Sequence, residues 1–336
     1  MSKTKNSKKR RLNYNKVALL CLVVVLIFGG VFAFKNNNKT NNEDPNENKN
    51  IVSTFNEQNE KVETYTASIL AAGDIMVHTP QLKAQYNAST KTYNFDNNFK
   101  YVKKYIEKAD YSLANLETTL AGNEVYKYSS YPMFNSPDEL ADALKNAGFD
   151  LLSTINNHSY DKGDLGISRT LEVLKKKGFD TVGTREKESD NDYLIKDINN
   201  IKVGFTSYSY GDIKDGTKYL NGIKVSKESG DKMNVFDSSN VDNAYKTISA
   251  TLDKMKDTDI QIVILHWGIE YTRSEIDFQN KLAQKLCDAG VDIIIGSHPH
   301  VVEPVETITS TDGKNECVVV YSLGNYISNQ RRESVG

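Results

Sequence analysis

Apolar residues in residues 65–336 follow two alternating periods. Stripes at spacings of three and four residues, which place apolar side chains on one helix face, occur in four stretches: Val102, Tyr105, Ile106 and Ala109; Leu140, Leu144 and Ala147; Val241, Tyr245, Ile248 and Leu252; and Leu282, Leu286 and Ala289. Between them stand short apolar runs typical of buried strands: Ser68–Gly73, Ser112–Leu116, Asp150–Ile155, Val203–Ser207, Ile260–Leu265, Asp292–Ile295 and Cys317–Ser322. Alternating helices and buried strands predict an α/β sandwich.

A recurring joint supports this interpretation. A glycine, an apolar residue and an aspartate separate a helical stripe from a strand at Gly148-Phe149-Asp150, Gly178-Phe179-Asp180 and Gly290-Val291-Asp292. We expect each glycine to end its helix in the left-handed conformation, with the apolar residue packed back on the last turn. Ser136-Pro137-Asp138-Glu139 further predicts a capping box at the start of one helix, with proline at its first position.

The N-terminal segment has a different pattern. Residues 1–16 carry seven lysines and arginines and no acid, and an uncharged apolar run, Val17–Phe34, follows directly. Eighteen helical residues approach the thickness of a bilayer's hydrocarbon core, and basic flanks stay in the cytoplasm. The sequence therefore predicts a cytoplasmic tail (1–16), a single transmembrane anchor (17–34) and an extracytoplasmic domain in the cell membrane. A signal peptide cleaved after Val31-Phe32-Ala33 is the alternative.

Amino-acid composition indicates a linker before the domain and bears on its partners and its cysteines. Residues 35–64 are rich in Asn, Lys, Glu and Asp, so we expect a disordered linker before the domain at 65–336. A net charge of -2 and a pI near 6.3 argue against a nucleic-acid partner. Cys21, Cys287 and Cys317 are far apart in sequence and lack metal-site spacing, which favours buried thiols over a disulfide framework.

Candidate chemistry collects at the ends of the predicted strands. Each of the five histidines follows such a strand: His78, His158, His266, His298 and His300. Acids and amides fall in the same places: Asp74, Asn115, Glu117, Asn156 and Asn157. A single polar residue at a strand end is more often a turn residue than a ligand. The coincidence of all five histidines favours a shared site at the ligand-binding edge of the sheet.

The motif Gly296-Ser297-His298-Pro299-His300 carries two of these imidazoles at one strand end. Residues i and i+2 of an extended segment point the same way, so we expect His298 and His300 to converge, with Pro299 keeping the backbone extended. Imidazole, carboxylate and amide ligands without thiolate suit Mn, Fe or Zn. The number of candidates exceeds the needs of one ion, so two divalent metal ions ~3.5–4 Å apart are expected.

Six motifs taken together resemble the CapA-like capsule biosynthesis proteins, a family associated with poly-γ-glutamate synthesis and export. They are Gly73-Asp74-Ile75-Met76-Val77-His78, Asn115-Leu116-Glu117-Thr118, Asn156 to Gly163, His266-Trp267-Gly268-Ile269-Glu270-Tyr271, Gly296 to His300, and Ser322-Leu323-Gly324-Asn325. That family is similar in turn to calcineurin-like metallophosphoesterases. The resemblance covers residues 66–330 and implies an αββα sandwich.

The resemblance also implies roles for individual residues. Asp74 and His300 would bind the first ion, Glu117 would bridge, and Asn157, His266 and His298 would bind the second. His158 would act as general acid or transition-state donor, with Asp161 either orienting it or starting the next helix. Expected substrate contacts are His78, Asn115, Asn156, Glu270, Arg273 and Asn325, although a solvated role is the alternative for Glu270 and Arg273.

One departure separates this chain from the metallophosphoesterase pattern. Met76 stands where the Asp-x-His block requires its histidine, and His78 lies two residues further on. The sequence therefore leaves two functions open. In the first, a metal-dependent hydrolase acts on an anionic cell-surface polymer, with poly-γ-glutamate as the expected substrate and capsule synthase subunits as expected partners. In the second, the site is degenerate and the domain is an anchored scaffold for polymer export. Because such folds usually have a further strand after Asn325, C-terminal truncation of the chain is also considered.

Overall fold

The computed structural model describes residues 63–330. The predicted cytoplasmic tail, membrane anchor and nearly all of the linker lie outside these residues. Within residues 63–330, no helix combines the length and the apolar character needed to cross a membrane.

Sixteen strands and seven α-helices make up the described part of the chain. The strands are β1 Ile69–Ile75, β2 Tyr86–Asn87, β3 Thr92–Tyr93, β4 Tyr111–Leu116, β5 Leu151–Ser153, β6 Asp180–Val182, β7 Leu194–Ile198, β8 Ile201–Lys214, β9 Thr217–Leu220, β10 Ile223–Lys224, β11 Val235–Asp237, β12 Ile260–His266, β13 Ile293–Ser297, β14 Val305–Thr309, β15 Glu316–Val320 and β16 Asn325–Ile327. The helices are α1 Thr79–Gln85, α2 Lys103–Ile106, α3 Glu139–Ala147, α4 Gly163–Lys176, α5 Lys227–Gly230, α6 Val241–Leu252 and α7 Asp277–Asp288.

Two sheets hold the structure together. The first is fully parallel, with strand order β16-β1-β4-β5-β6. The second has the order β10-β9-β8-β12-β13-β15-β14, and both β7 and β11 also pair with the long strand β8. Its centre is parallel, whereas the hairpins at its margins are antiparallel. Parallel order in both sheets brings the carboxyl ends of their central strands to one edge of the domain.

Three apolar layers show how the sheets pack. Leu113 and Leu151 of the first sheet meet Phe205, Ile262 and Ile264 of the second between the two sheets. Neighbouring residues along the same strands point outward, because side chains of a strand alternate between its faces. On the outer faces they pack against α3 and α4 on the first sheet and against α6 and α7 on the second. This helix-sheet-sheet-helix arrangement confirms the predicted α/β sandwich.

Most of the predicted elements are confirmed, and two details are wrong. All seven apolar runs are strands, and Gly148, Gly178 and Gly290 have φ values of 104°, 75° and 92°. Helix α3 begins at Glu139 and has no side-chain cap, because the Ser136 hydroxyl bonds Thr118 instead. The stripe from Val102 forms only the single turn α2, in which Tyr105 is exposed.

Candidate metal centre

Asp74 lies on β1 at the edge where the strands of both sheets end, and there the backbone of β1 passes very close to that of Gly324. The Asp74 amide donates to the carbonyl of Gly324 at 2.9 Å, and the strand is bulged at this point. A Cβ atom on Gly73 would stand only 1.9 Å from the Gly324 oxygen, so only glycine permits the approach. The Asp74 side chain is fully buried.

His298 and His300 lie in a distorted turn that follows β13 of the second sheet. His298 and His300 have φ values of +101° and +59°, so the segment is bent and the extended geometry predicted for it is wrong. Non-glycine residues in this region cost ~1–3 kcal/mol each and are found mainly at functional sites. The two rings still converge, with centroids 5.9 Å apart. The strain is therefore located at the candidate site itself.

Asp74, Glu117 and His266 form the first group of ligand-type side chains. Their ligand atoms all lie within 4.8 Å of one another, and all three residues are buried. Glu117 Oε1 lies 3.7 Å from His266 Nε2 and accepts no hydrogen bond from any described residue. Burial, followed by the charge of Asp74, raises the pKa of Glu117 well above its ordinary value. Two buried carboxylates in contact repel each other unless a proton or a cation lies between them.

The second group consists of Glu270, His298 and His300, whose ligand atoms also lie within 4.8 Å of one another. His298 Nδ1 is buried and has no hydrogen-bond partner among the described residues. Burial lowers the pKa of His298 to about 3, so the ring is neutral and has a free electron pair at neutral pH. Glu270 is exposed and enters this group from solvent, next to Tyr271, whose amide donates to the Pro299 carbonyl at 2.8 Å.

A direct contact joins the two groups. His300 Nδ1 lies 3.1 Å from Asp74 Oδ2, and His300 Nε2 lies 3.9 Å from Glu117 Oε1. On the other side, Asn157 Oδ1 lies 2.9 Å from His266 Nε2. All six residues predicted as metal ligands are therefore in one cluster that crosses from one sheet to the other. Their assignment to a first or a second ion stays a prediction.

This donor set is suited to divalent cations. Oxygen and neutral nitrogen donors without thiolate are the ligands of Mn, Fe and Zn sites. Glu117 Oε1 and His298 Nδ1 are buried polar atoms without a partner among the described residues, which costs ~1–3 kcal/mol each unless something fills the position. A cation would satisfy both atoms and screen Asp74 from Glu117. The residues fit a metal site by their own chemistry.

His158 and Asp161 lie beside the cluster as a hydrogen-bonded pair. His158 Nδ1 is 2.8 Å from Asp161 Oδ2, which also accepts the backbone amide of Phe134 at 2.6 Å. Because a carboxylate only accepts, the proton of the neutral imidazole lies on Nδ1 and Nε2 is left for other partners. Phe134 packs edge-on against the His158 ring, with centroids 4.7 Å apart. The ring is thus fixed in place by a hydrogen bond and by packing.

The residues predicted to contact substrate are not equivalent in the structure. Asn115 donates to Asp74 at 2.8 Å, and Asn156 donates to Asn115 at 3.1 Å, so both buried amides orient other residues of the cluster. The side chain of Asn325 donates to Gln330 at 2.6 Å, whereas its buried Oδ1 has no partner among the described residues. Their contact with a substrate stays a prediction.

Three further positions lie towards the surface. His78 accepts the amide of Asn329 at 3.1 Å on Nδ1 and faces Phe134, so it lines the margin of the site. Burial lowers its pKa. Glu270 lies with the histidines of the second group rather than apart from the ligands, and Arg273 follows it on the same exposed loop.

Two residues around the cluster were not among the predicted site residues. Ser297 holds His266 Nδ1 at 2.9 Å, and Tyr210 covers both His266 and His298, with ring centroids 6.1 and 4.6 Å away. Ser297 lies within a recognised motif and could have been found from it. Tyr210 belongs to the second half of β8, beyond the apolar run Val203–Ser207, and only the fold brings it to the site.

Two other residues within the motifs have structural explanations. Trp267 is fully buried and donates through Nε1 to the Tyr321 carbonyl at 2.9 Å, so it is part of the core behind the site. Met76 is buried as well, and its amide donates to the Ile327 carbonyl at 2.8 Å. Neither side chain belongs to the candidate ligand groups.

The fold and the site define a two-sheet α/β domain with a candidate metal centre at its common strand edge. Residues 68–330 match the family described as "Bacterial capsule synthesis protein PGA_cap", and the chain belongs to this family. The family predicted from the six motifs is thereby confirmed.

Two relatives show the extent of the similarity. The chain is 31% identical over 279 residues to the "PGA biosynthesis protein CapA" of Bacillus subtilis (strain 168), covering 80% of this chain and 66% of that protein. It is 29% identical over 283 residues to the "Capsule biosynthesis protein CapA" of Bacillus anthracis, covering 81% and 61%. The chain thus spans less than two thirds of the length of either relative.

Among solved structures, the chain is similar to the crystal structure of the protein TT1561 of Thermus thermophilus. The match covers 77% of this chain and 91% of that one, with 13% identity and a TM-score of 0.40. At this score the likeness carries no argument.

Proposed function

We propose that this domain is a metal-dependent hydrolase of the metallophosphoesterase type that acts in the assembly of a capsular, anionic cell-surface polymer. The observation that carries the proposal is the contact between Asp74 and His300 at 3.1 Å, which joins two groups of three ligand-type residues. One group alone could be a structural accident. Two adjoining groups with unpartnered buried atoms in each call for cations.

Two divalent ions are the proposed cofactors. We propose an assignment that differs from the one implied by the resemblance. Asp74, Glu117 and His266 would hold one ion, with the Asn157 oxygen beside them, and Glu270, His298 and His300 would hold the other. Bound cations of this kind supply Lewis-acid polarisation of a phosphoryl or carbonyl oxygen and lower the pKa of water. Support for the ligand positions comes from the chain itself, because Asn115 and Ser297 hold Asp74 and His266 in orientation.

The proposed role of His158 is proton transfer to the leaving group. Asp161 accepts from Nδ1 at 2.8 Å, which orients the ring and stabilises its protonated form. With Nδ1 engaged, Nε2 is the atom that would give or take the proton. The edge-on packing of Phe134 excludes water from one side of the ring.

The proposed substrate is an anionic polymer of the capsule. The names of the two relatives associate them with PGA and capsule biosynthesis, and we extend that association to this chain as a proposal. Poly-γ-glutamate is the expected polymer, and capsule synthase subunits are the expected protein partners. An exposed loop carrying Glu270 and Arg273 borders the centre on the solvent side, where such a chain could enter.

The proposed location is the outer face of the cell membrane. Residues 17–34 would anchor the chain with residues 1–16 in the cytoplasm, and residues 35–64 would tether the domain. Protease added to intact cells should then digest the chain beyond Phe34 and leave the tail protected. Complete protection of the domain would contradict this topology.

An anchored scaffold without catalysis is the second candidate. The specific observation in its favour is Met76, which is buried and occupies the position of a histidine in the metallophosphoesterase block. Loss of one ligand type could leave a centre that binds metal and polymer without hydrolysis. This candidate predicts polymer binding by the chain with no turnover.

Metal analysis and hydrolysis by the purified full-length chain separate the two candidates. We expect about two divalent ions per chain and turnover of a phosphodiester such as bis-p-nitrophenyl phosphate or of poly-γ-glutamate. Metal without turnover of any of these substrates would favour the scaffold. Absence of bound metal after incubation with Mn²⁺, Zn²⁺ or Fe²⁺ would overturn the proposed function.

A further inference from the structure

The tip of the β9–β10 hairpin, at one margin of the second sheet, contacts the candidate metal centre. Asn221 lies at this tip and is exposed. Its Oδ1 accepts a hydrogen bond from Asn157 Nδ2 at 3.1 Å, and its Nδ2 lies 3.5 Å from His158 Nδ1. Because His158 Nδ1 donates its proton to Asp161, it accepts no hydrogen bond from Asn221. This surface residue therefore bonds a candidate ligand and lies next to the candidate general acid.

The contact with Asn157 has a direct consequence for the candidate ligand. A carboxamide has nearly the same shape in its two orientations, but one end donates hydrogen bonds and the other accepts. Because Asn221 Oδ1 is an acceptor, Asn157 turns its NH₂ group towards the hairpin. Its oxygen is then left facing His266 Nε2, 2.9 Å away. The opposite orientation would present NH₂ to the metal group, where a cation could not bind it.

The hairpin is held firmly enough to impose this orientation. Asn221 and Gly222 have φ values of 48° and 74°, the conformation of a tight two-residue hairpin turn that asparagine and glycine favour. Leu220 and Val225, on either side of the turn, are buried against Tyr160. The position of the tip is therefore set by core packing and not by the Asn221 side chain.

We propose that Asn221 is a positioning residue that fixes the Asn157 amide with its oxygen towards the bound cation. The inference rests on the proposed metal-dependent function. It gives the hairpin a role in metal affinity, although Asn221 belongs neither to the six sequence motifs nor to the six predicted ligands. Asn221 itself acts through Asn157 and binds no cation.

Substitution by glycine tests this role without disturbing the turn, because glycine adopts a positive φ freely. Asn221→Gly removes the amide and keeps the hairpin. Asn200→Gly is the matched control, since Asn200 is also exposed, has a φ of 66° and lies in the turn between β7 and β8. The affinity of the full-length chain for Mn²⁺ and Zn²⁺ is measured by competition with a chelating dye. Thermal unfolding in chelator checks that each variant is folded.

We expect Asn221→Gly to weaken metal affinity by ~10–100-fold, as is typical for residues that orient ligands, and Asn200→Gly to leave it unchanged. A double-mutant cycle then tests the route of the effect. In an Asn157→Ala background, Asn221→Gly should have no further effect. A loss of the same size in that background, or an affinity of Asn221→Gly equal to that of Asn200→Gly, would overturn the inference alone. A wild-type chain that binds neither cation would overturn the proposed function as well.

Discussion

Asn157 Oδ1 and His266 Nε2 face each other at 2.9 Å, one from the loop after β5 and the other from the end of β12. In the metal-free protein a proton on Nε2 joins these atoms, and the Ser297 hydroxyl can donate to Nδ1 at 2.9 Å. With the proton of the imidazole on Nδ1 instead and Ser297 as acceptor, both atoms would be available to the proposed metal ion. Under the proposed function, a change of tautomer would replace this hydrogen bond with a cation site.

Gly296 tests how closely the core packs behind the site. A Cβ atom there would lie 1.8 Å from the Tyr321 carbonyl oxygen and 2.6 Å from Trp267 Nε1. We expect Gly296→Ala to destabilise the domain by ~1–3 kcal/mol or more, because overpacking forces the backbone apart. Gly230→Ala is the control, since its nearest atom would lie 3.8 Å away. Equal urea midpoints for the two variants would contradict this account.

The sequence was sufficient for the layers of the fold because buried strands and amphipathic helices have strong periods. It did not reveal β9, β10, β14 or β16, which are short or lie at sheet margins and depend on distant partners. Helix α3 shows the same limit, because the Ser136 hydroxyl found a partner in Thr118, eighteen residues away in the chain, rather than in its own helix.

The sequence predicted which residues would meet at the site better than it predicted how they contact one another. Strand ends brought Asp74, His266 and His298 together, as parallel topology requires. Glu270 joins them on a loop whose Tyr271 amide donates to the Pro299 carbonyl at 2.8 Å. Asn221 came from a hairpin that no periodicity indicated. Contacts of this kind depend on tertiary structure and leave no local pattern.

Glu117 should weaken the metal-free fold. Its buried Oε1 has no partner among the described residues, and burial and Asp74 raise its pKa. We expect Glu117→Gln to raise the free energy of unfolding in chelator by ~1–2 kcal/mol, because it removes the repulsion between carboxylates, while metal binding falls. Urea unfolding at neutral pH measures the first effect. A variant less stable than wild type in chelator would show that Glu117 is structural.

His158 should act in turnover and not in metal binding. We expect His158→Ala to reduce the rate by ~10²–10⁴-fold with unchanged metal content, as for loss of a general acid. Asp161→Asn keeps the size of the partner but removes the carboxylate that orients the ring, so a smaller loss of rate is expected. Steady-state kinetics with metal analysis of the same samples gives both quantities. Parallel loss of metal and rate would place His158 among the ligands.

Lys218 gives the hairpin a defined pH dependence. Its ammonium donates to the carbonyls of Gly230 and Met233, and burial lowers its pKa from 10.5 to about 8. The unfolded chain binds this proton more tightly, so stability falls as the pH is lowered from 10.5 to about 8 and is constant below that window. As the pH rises through this window, we expect the free energy of unfolding of the wild type to increase relative to that of Lys218→Met by at most about 1.4 kcal/mol per pH unit.

Urea unfolding at about pH 7.5 and about pH 9.5 measures this difference. Lys214→Met is the control, because Lys214 lies on the same ribbon of strands with an exposed side chain. A pH-independent difference between wild type and Lys218→Met would contradict the assignment.

Metal content of the His298→Gln and His300→Gln double variant tests the central claim most directly. Glutamine keeps a similar size and removes the imidazole nitrogens, so the fold should survive while bound metal falls from about two ions per chain to one or none. The measurement is elemental analysis of full-length protein after equilibration with Mn²⁺ or Zn²⁺ and removal of excess, with wild type treated in parallel. A wild-type chain that carries no more metal than the double variant would contradict the claim that His298 and His300 belong to a metal centre.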